Sequence, residues 1–138
     1  MIILDTNVVS EMMRPLPHPV VMNWFATQSA EDIHVTAITM AEILFGIALL
    51  AAGKRQEALQ AGADKTFGVF AGHVLPFDDR AAHAFSLISS SRRKQGRPMS
   101  DFDAQIAAIA RGHEATLATR NTDDFEGCGL KLVNPWQA

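Results

Sequence analysis

The sequence predicts an α/β fold in which a parallel sheet is covered on both faces by helices. Three observations lead there. Short β-prone apolar runs alternate with longer stretches of helical spacing, the order that right-handed βαβ units produce. The 138 residues amount to a single domain, 1–138, large enough to bury roughly two thirds of its unfolded surface. A composition of 48% hydrophobic and 20% charged residues is that of a globular chain and excludes disorder, collagen and coiled coil.

Met1 to Leu4 is a buried strand closed by Asp5-Thr6-Asn7, which reads as a turn. After the Pro-rich bend Pro15-Leu16-Pro17-His18-Pro19, the positions of Val20, Val21, Trp24 and Phe25 predict a helix over His18 to Gln28. Ile33 to Val35 is a second strand. Ile38, Phe45 and Leu49 then set the apolar stripe of a helix from Thr36 or Thr39 to about Ala52, stopped by Gly53. Lys54 to Phe70 is a more polar helix, and His73 to Phe77 a third strand. Asp79 to Gln95 forms a helix ending in the basic cluster Arg92, Arg93, Lys94 and Arg97, with Gly96 and Pro98 as breakers. Asp101 to His113 is the next helix, Ala115 to Thr119 a fourth strand, Thr122 to Phe125 a helical turn and Lys131 to Val133 the last strand.

Charge, apolar runs and cysteine content narrow the function classes. Twelve Lys and Arg against fifteen Asp and Glu give a net charge of -3, so nucleic acid would have to be met by local patches. The longest apolar run, Ile43 to Ala52, is half the roughly 20 residues a membrane-spanning helix needs. Asp5 also interrupts the first apolar stretch before a signal-peptide core forms. A cytoplasmic location without membrane contact is expected. Cys128 is the only cysteine, which excludes an intrachain disulfide and a multi-cysteine zinc site, and the five histidines show no metal-ligand spacing.

The informative residues are acids. In parallel sheets, ligands gather beyond the carboxyl ends of the strands. Asp5 stands directly after the first strand, where an Asx turn would also explain it. Glu42 shares a helical face with Ile38, Phe45 and Gly46 in a stretch otherwise almost free of charge, and a buried carboxylate must be paired, protonated or bound to a cation. A capping box from Thr39 to Glu42 is the alternative. Asp101 and Asp103 open a helix, where Ser100 offers a capping box and the helix dipole favours acids. Asn121, Asp123 and Asp124 follow the fourth strand and serve equally well as caps. Converging carboxylates repel one another unless a divalent cation is present, and hard oxygen ligands suit Mg²⁺ or Mn²⁺. Such a cation activates water against a phosphodiester, which makes a nuclease the sharpest hypothesis.

At this point four segments taken together, Leu4-Asp5-Thr6-Asn7, Ala41-Glu42-Ile43-Leu44-Phe45-Gly46, Asp103-Ala104-Gln105-Ile106-Ala107-Ala108 and Thr119-Arg120-Asn121-Thr122-Asp123-Asp124-Phe125, resemble the PIN-domain ribonucleases in order and spacing along the whole chain. The nearest likeness is to VapC-type toxins of toxin-antitoxin pairs, in their FitB-like group, which also ends in Asn-Pro-Trp, here Asn134-Pro135-Trp136. The resemblance implies a PIN-like three-layer sandwich with a mostly parallel central sheet and endonucleolytic cleavage of RNA with Mg²⁺ or Mn²⁺. It further implies a homodimer, inhibition by a cognate VapB/FitA-like antitoxin, and contact with DNA only through that antitoxin. The family's acids fall on Asp5, Glu42 and Asp103, with Asp5 and Asp103 as metal ligands. Its fourth acid falls on Asn121, which brings no charge, so Asp124 is a candidate to compensate and Asp101 a further one. Thr6 and Thr119 are expected to bond the carboxylates or the attacking water.

Other enzyme classes fail on particular residues. A haloacid-dehalogenase-type phosphatase needs a second Asp where Asn7 stands, no Gly-Lys-Ser/Thr loop exists, and Gly127-Cys128-Gly129 lacks the glycine and helix of a dinucleotide site. A receiver domain would need an acidic pair after the first strand. One reading of a different class stays open, a catalytically silent PIN-fold binding module, and Asn121 is the residue that keeps it open. The cluster Arg92, Arg93, Lys94 and Arg97, with Arg120 nearer the acids, either holds phosphates or is a solvated helix end.

Overall fold

Asp5 closes strand β1 (Ile2–Leu4) and at the same time caps helix α1 (Thr6–Met12), its carboxylate accepting from the Thr6 amide at 2.8 Å. The computed structural model, which describes residues 1–138, therefore replaces the expected turn at Asp5-Thr6-Asn7 by a helix. Seven residues are too few for a helix to stand alone. Val8 and Val9 are fully buried beneath it, and each contributes about 1.5–3 kcal/mol by leaving water.

Helix α2 (Pro19–Ala26) begins with proline behind His18, whose ring nitrogen accepts from the Val20 amide. A 3-10 turn at Ala30–Asp32 leads into β2 (Ile33–Thr36). Thr36 ends β2 and caps α3 (Ala37–Ala48) by accepting from the Thr39 amide at 3.0 Å. The capping box expected at Thr39 is thereby excluded, and Glu42 falls in the helix's second turn. The apolar stripe also differs from expectation. Phe45 and Leu49 are 58% and 70% exposed, whereas Ile47 packs on Ala63 and Phe67 of α4 (Lys54–Val69), with Met40, Ile43 and Leu44 beside them.

Strand β3 is only Val74–Leu75, shorter than expected because Pro76 has no amide to extend the ladder. Helices α5 (Asp79–Lys94) and α6 (Asp101–Gly112) follow as the spacing predicts, capped by Asp78 and Ser100. They are joined through β4 (Thr116–Ala118) and a 3-10 turn, Thr122–Phe125, to β5 (Lys131–Val133) and a last turn, Pro135–Gln137.

All five strands are parallel, in the order β3-β2-β1-β4-β5. Ile2 lies opposite Ile33 on one side and Thr116 on the other. The alternation of side chains along a strand divides the core into two layers. Ile3 and Leu117 meet Ile88, Ile106 and Ile109 of α5 and α6, whereas Leu4 and Ala118 meet Val8, Val9, Val21 and Trp24 of α1 and α2. The result is a three-layer sandwich whose strand order reverses between β1 and β4. No helix is long and apolar enough to cross a membrane.

Candidate active site

The crevice at that reversal is where a parallel sheet gathers its ligands. Asp5 leaves β1 and Thr119 leaves β4 on either side of it. The Thr119 hydroxyl donates to Asp5 Oδ2 at 2.8 Å and accepts from the Asn121 amide at 3.1 Å and the Asn7 side chain at 3.3 Å. Asp5 is 4% exposed. Its carboxyl is raised to about 6, first by burial and to a lesser extent by the charges of Asp103 and Glu42, against the lowering bonds from Thr119 and Thr6.

Glu42 reaches the same cleft from α3. Its Oε1 accepts from the Thr6 hydroxyl at 2.8 Å, and that hydroxyl oxygen lies 3.0 Å from the Thr39 hydroxyl. Since the single Thr6 proton goes to Glu42, Thr39 donates to Thr6, and the relay fixes one carboxylate oxygen of Glu42. Asp103 comes from the first turn of α6. Its carboxyl is also raised, first by burial and then by the charge of Asp124, against a hydrogen bond with Ser100. The Ser100 hydroxyl accepts from the Asp103 amide at 3.2 Å, so Asp103 both occupies a capped helix start and faces the cleft.

Asp5, Glu42, Asp103 and Asn121 thus line one cleft of about 470 Å³. Asp124 and Asp101 do not line it; both are exposed, and Asp124 acts on Asp103 only through its charge. The donors in the cleft are carboxylate, amide and hydroxyl oxygens with no histidine or thiol, which fits a hard divalent cation. No three of the chain's acidic, His or Cys groups enclose a cation by themselves. One or two carboxylates with retained waters are the usual manner of holding Mg²⁺.

The sequence reading missed part of this cleft. Glu11 is a fourth carboxylate in its wall, almost fully buried, accepting from Arg14 at 3.3 Å and from the His18 amide at 3.3 Å. The polar spacing Asn7, Ser10, Glu11, Arg14 would have revealed it had α1 been recognised as a helix. Trp136 and Arg120 complete the rim. The basic cluster is placed differently from the phosphate-holding reading. Arg92 turns inward, donating to the carbonyls of Arg97, Asp124 and Glu126 at 2.8–2.9 Å, and Arg97 pairs with Glu126. Cys128 beside Arg92 is fully buried, and its thiol is pushed up by that burial.

Comparison with known proteins bears on the family and the fold. The family described as PIN domain matches residues 2–127. The chain is similar over 100% of both lengths to the plasmid stability protein StbB of Pseudomonas syringae pv. tomato, at 42% identity. Over 99% of both lengths it is similar to Toxin FitB of Neisseria gonorrhoeae, at 39% identity, and to a VapC ribonuclease of Sinorhizobium fredii, at 38%. The solved structure of FitAB bound to a DNA fragment superposes on it with a TM-score of 0.89 at 39% identity, covering 99% of this chain and 96% of that one. By the family match over residues 2–127 and by these full-length relatives, this chain belongs to the PIN-domain family, in the group that contains the FitB and VapC toxins.

Proposed function

We propose that the chain is a divalent-metal-dependent endoribonuclease, the toxin of a toxin-antitoxin pair working in the cytoplasm. The observation that carries this reading is the convergence of Asp5, Glu42 and Asp103 in one cleft at the sheet's switch point, in a chain similar along its length to a named VapC ribonuclease and to Toxin FitB. Asp5 and Asp103 are the ligands for Mg²⁺ or Mn²⁺. When bound, such a cation lowers the pKa of water and neutralises charge developing on the phosphate. Glu42, its Oε1 held by Thr6, has Oε2 free to take the proton of the attacking water as the new P–O bond forms and the ester bond opposite it breaks. Asn121 orients the water or the phosphate without adding charge.

The fold relative FitAB has been solved bound to a DNA fragment. The family resemblance makes this chain a homodimer inhibited by a VapB/FitA-like antitoxin, meeting DNA only through that antitoxin. An apolar groove formed by Met13, Ile43, Ile47, Leu50 and Leu59 shares Thr6 and Glu42 with the cleft, so a partner segment laid in it would cover Glu42.

Pure protein incubated with RNA is the test. Cleavage that EDTA removes and Mg²⁺ or Mn²⁺ restores is expected, together with growth arrest when the chain is expressed alone and none with Glu42→Gln. Cleavage indifferent to EDTA overturns the metal site, and absence of any cleavage leaves the silent binding module.

A further inference from the structure

A cleft walled by Asp5, Glu11, Glu42 and Asp103 repels the phosphates of RNA, and a side-chain cation not already paired would offset that repulsion beside the metal. Two arginines line the cleft, Arg14 and Arg120. Arg14 is committed, because its Nη1 lies 3.3 and 3.4 Å from the two carboxylate oxygens of Glu11. Arg120 has no such partner. The ion pairs of the chain are Arg14 with Glu11, Arg80 with Asp78 and Arg97 with Glu126.

Arg120 is nonetheless held in place. Its guanidinium carbon lies 5.1 Å from the centroid of the Trp136 ring, within range of a cation–π contact. Its backbone is gripped from both sides: the amide donates to Asn7 Oδ1 at 3.3 Å, and the carbonyl accepts from Asn134 Nδ2 at 3.4 Å. The other end of the same Asn134 side chain accepts from the Trp136 amide at 2.9 Å, and Pro135 between them is buried. One amide side chain therefore joins the arginine's backbone to the tryptophan's. A guanidinium held by an aromatic ring keeps its N–H groups available to phosphate oxygens, which it can meet in pairs.

Resting on the ribonuclease reading, we propose that Arg120, seated on Trp136, is the phosphate-binding residue of the cleft, gripping an RNA phosphodiester beside the carboxylates, with Trp136 and Asn134 as its positioning residues.

The test measures binding and cleavage of an unpaired RNA oligonucleotide by the wild type, Arg120→Ala, Arg120→Lys, Trp136→Phe and Trp136→Leu. Binding is followed in EDTA over a range of salt concentrations, and cleavage kinetics with Mg²⁺. For Arg120→Ala the slope of log affinity against log salt should fall by about 0.7, the contribution of one phosphate contact to a single strand. KM should rise about tenfold, more than kcat falls. Arg120→Lys should keep the salt slope. Trp136→Phe should keep KM near the wild-type value, since a ring remains under the guanidinium. Trp136→Leu should raise KM with the slope unchanged, a split that loss of structure alone does not produce. If the wild type cleaves RNA while Arg120→Ala matches it in slope and KM, the proposal is wrong and the ribonuclease reading stands. If the wild type neither binds nor cleaves RNA, both fall.

Discussion

The hydroxyl of Thr119 is bonded to the carboxylate of Asp5, a residue 114 positions earlier, and no other side chain donates to that buried acid. The contact spans the switch point of the sheet and opposes the rise of the Asp5 carboxyl that burial causes. Thr119→Val should therefore push Asp5 above its value of about 6. The acidic limb of the cleavage profile should move to higher pH by up to about one unit. A pH–rate profile of the two proteins decides it, and an unmoved limb would mean that Asp5 does not titrate in the reaction.

Asp5→Asn should stabilise the metal-free protein. The folded carboxyl is raised from 3.8 to about 6, so the folded state binds the proton more tightly than the unfolded chain does. Stability is then greatest below the unfolded value and is lost as pH rises through the folded one. At neutral pH that loss amounts to about 3 kcal/mol for the wild type. The amide keeps an acceptor for the Thr6 cap, so the variant should gain about 1–3 kcal/mol at pH 7 and almost nothing near pH 4. Urea unfolding at both pH values, with EDTA, is the measurement, and RNA cleavage by the variant should be abolished.

Metal affinity should fall steeply on acidification, since a ligand must lose its proton to bind. Below the Asp5 value of about 6, each further unit of pH should weaken Mn²⁺ binding by about tenfold. Calorimetric titration at several pH values would detect the accompanying proton release. An affinity flat across this range would remove Asp5 from the coordination sphere.

Asn121→Asp should lower the Mg²⁺ concentration needed for half-maximal cleavage, because position 121 lines the cleft and the amide contributes no charge. Asp124→Asn should change that requirement far less, since Asp124 lies outside the cleft and is felt only by Asp103. Metal titrations of the three proteins separate the two positions. Equal effects would return Asp124 to the site.

Arg92→Met should destabilise the fold by about 2–4 kcal/mol, because the carbonyls of Arg97, Asp124 and Glu126 lose their charged donor together. Chemical denaturation measures the loss. A variant as stable as the wild type would show that water replaces the guanidinium without cost.

The parallel sheet was legible in where short apolar runs end, as was Asp5; Glu42 stood out as a charge on an apolar helical face and Asp103 as an acid at a helix start, and the order of the four segments linked the three. What stayed illegible depends on tertiary contacts. Helix α1 is stabilised by the burial of Val8 and Val9, not by its own spacing, so it passed for a turn and hid Glu11. Phe45 and Leu49 fit a helical stripe as well as Ile43 and Ile47 do, and only the position of α4 selects the second pair. Arg92 looks like one more cation at a helix end, and its inward turn requires the carbonyls that the loop after β4 presents. The rim formed by Arg120 and Trp136 joins residues that become neighbours through the Asn134 bridge.

The central position of β1 has a consequence for synthesis of the protein. Its second neighbour, β4, pairs Ile2 with Thr116 and Leu4 with Ala118, so β1 waits for all the elements between them before its second ladder closes. The Thr119 bond to Asp5 and the approach of Asp103 wait with it. Until β4 has emerged, a ribosome-bound nascent chain carries Asp5 and Glu42 without their partners. A chain with this topology assembles its acidic cleft only once β4 has been made, so the carboxylates of the earlier elements stay apart from their partners until then.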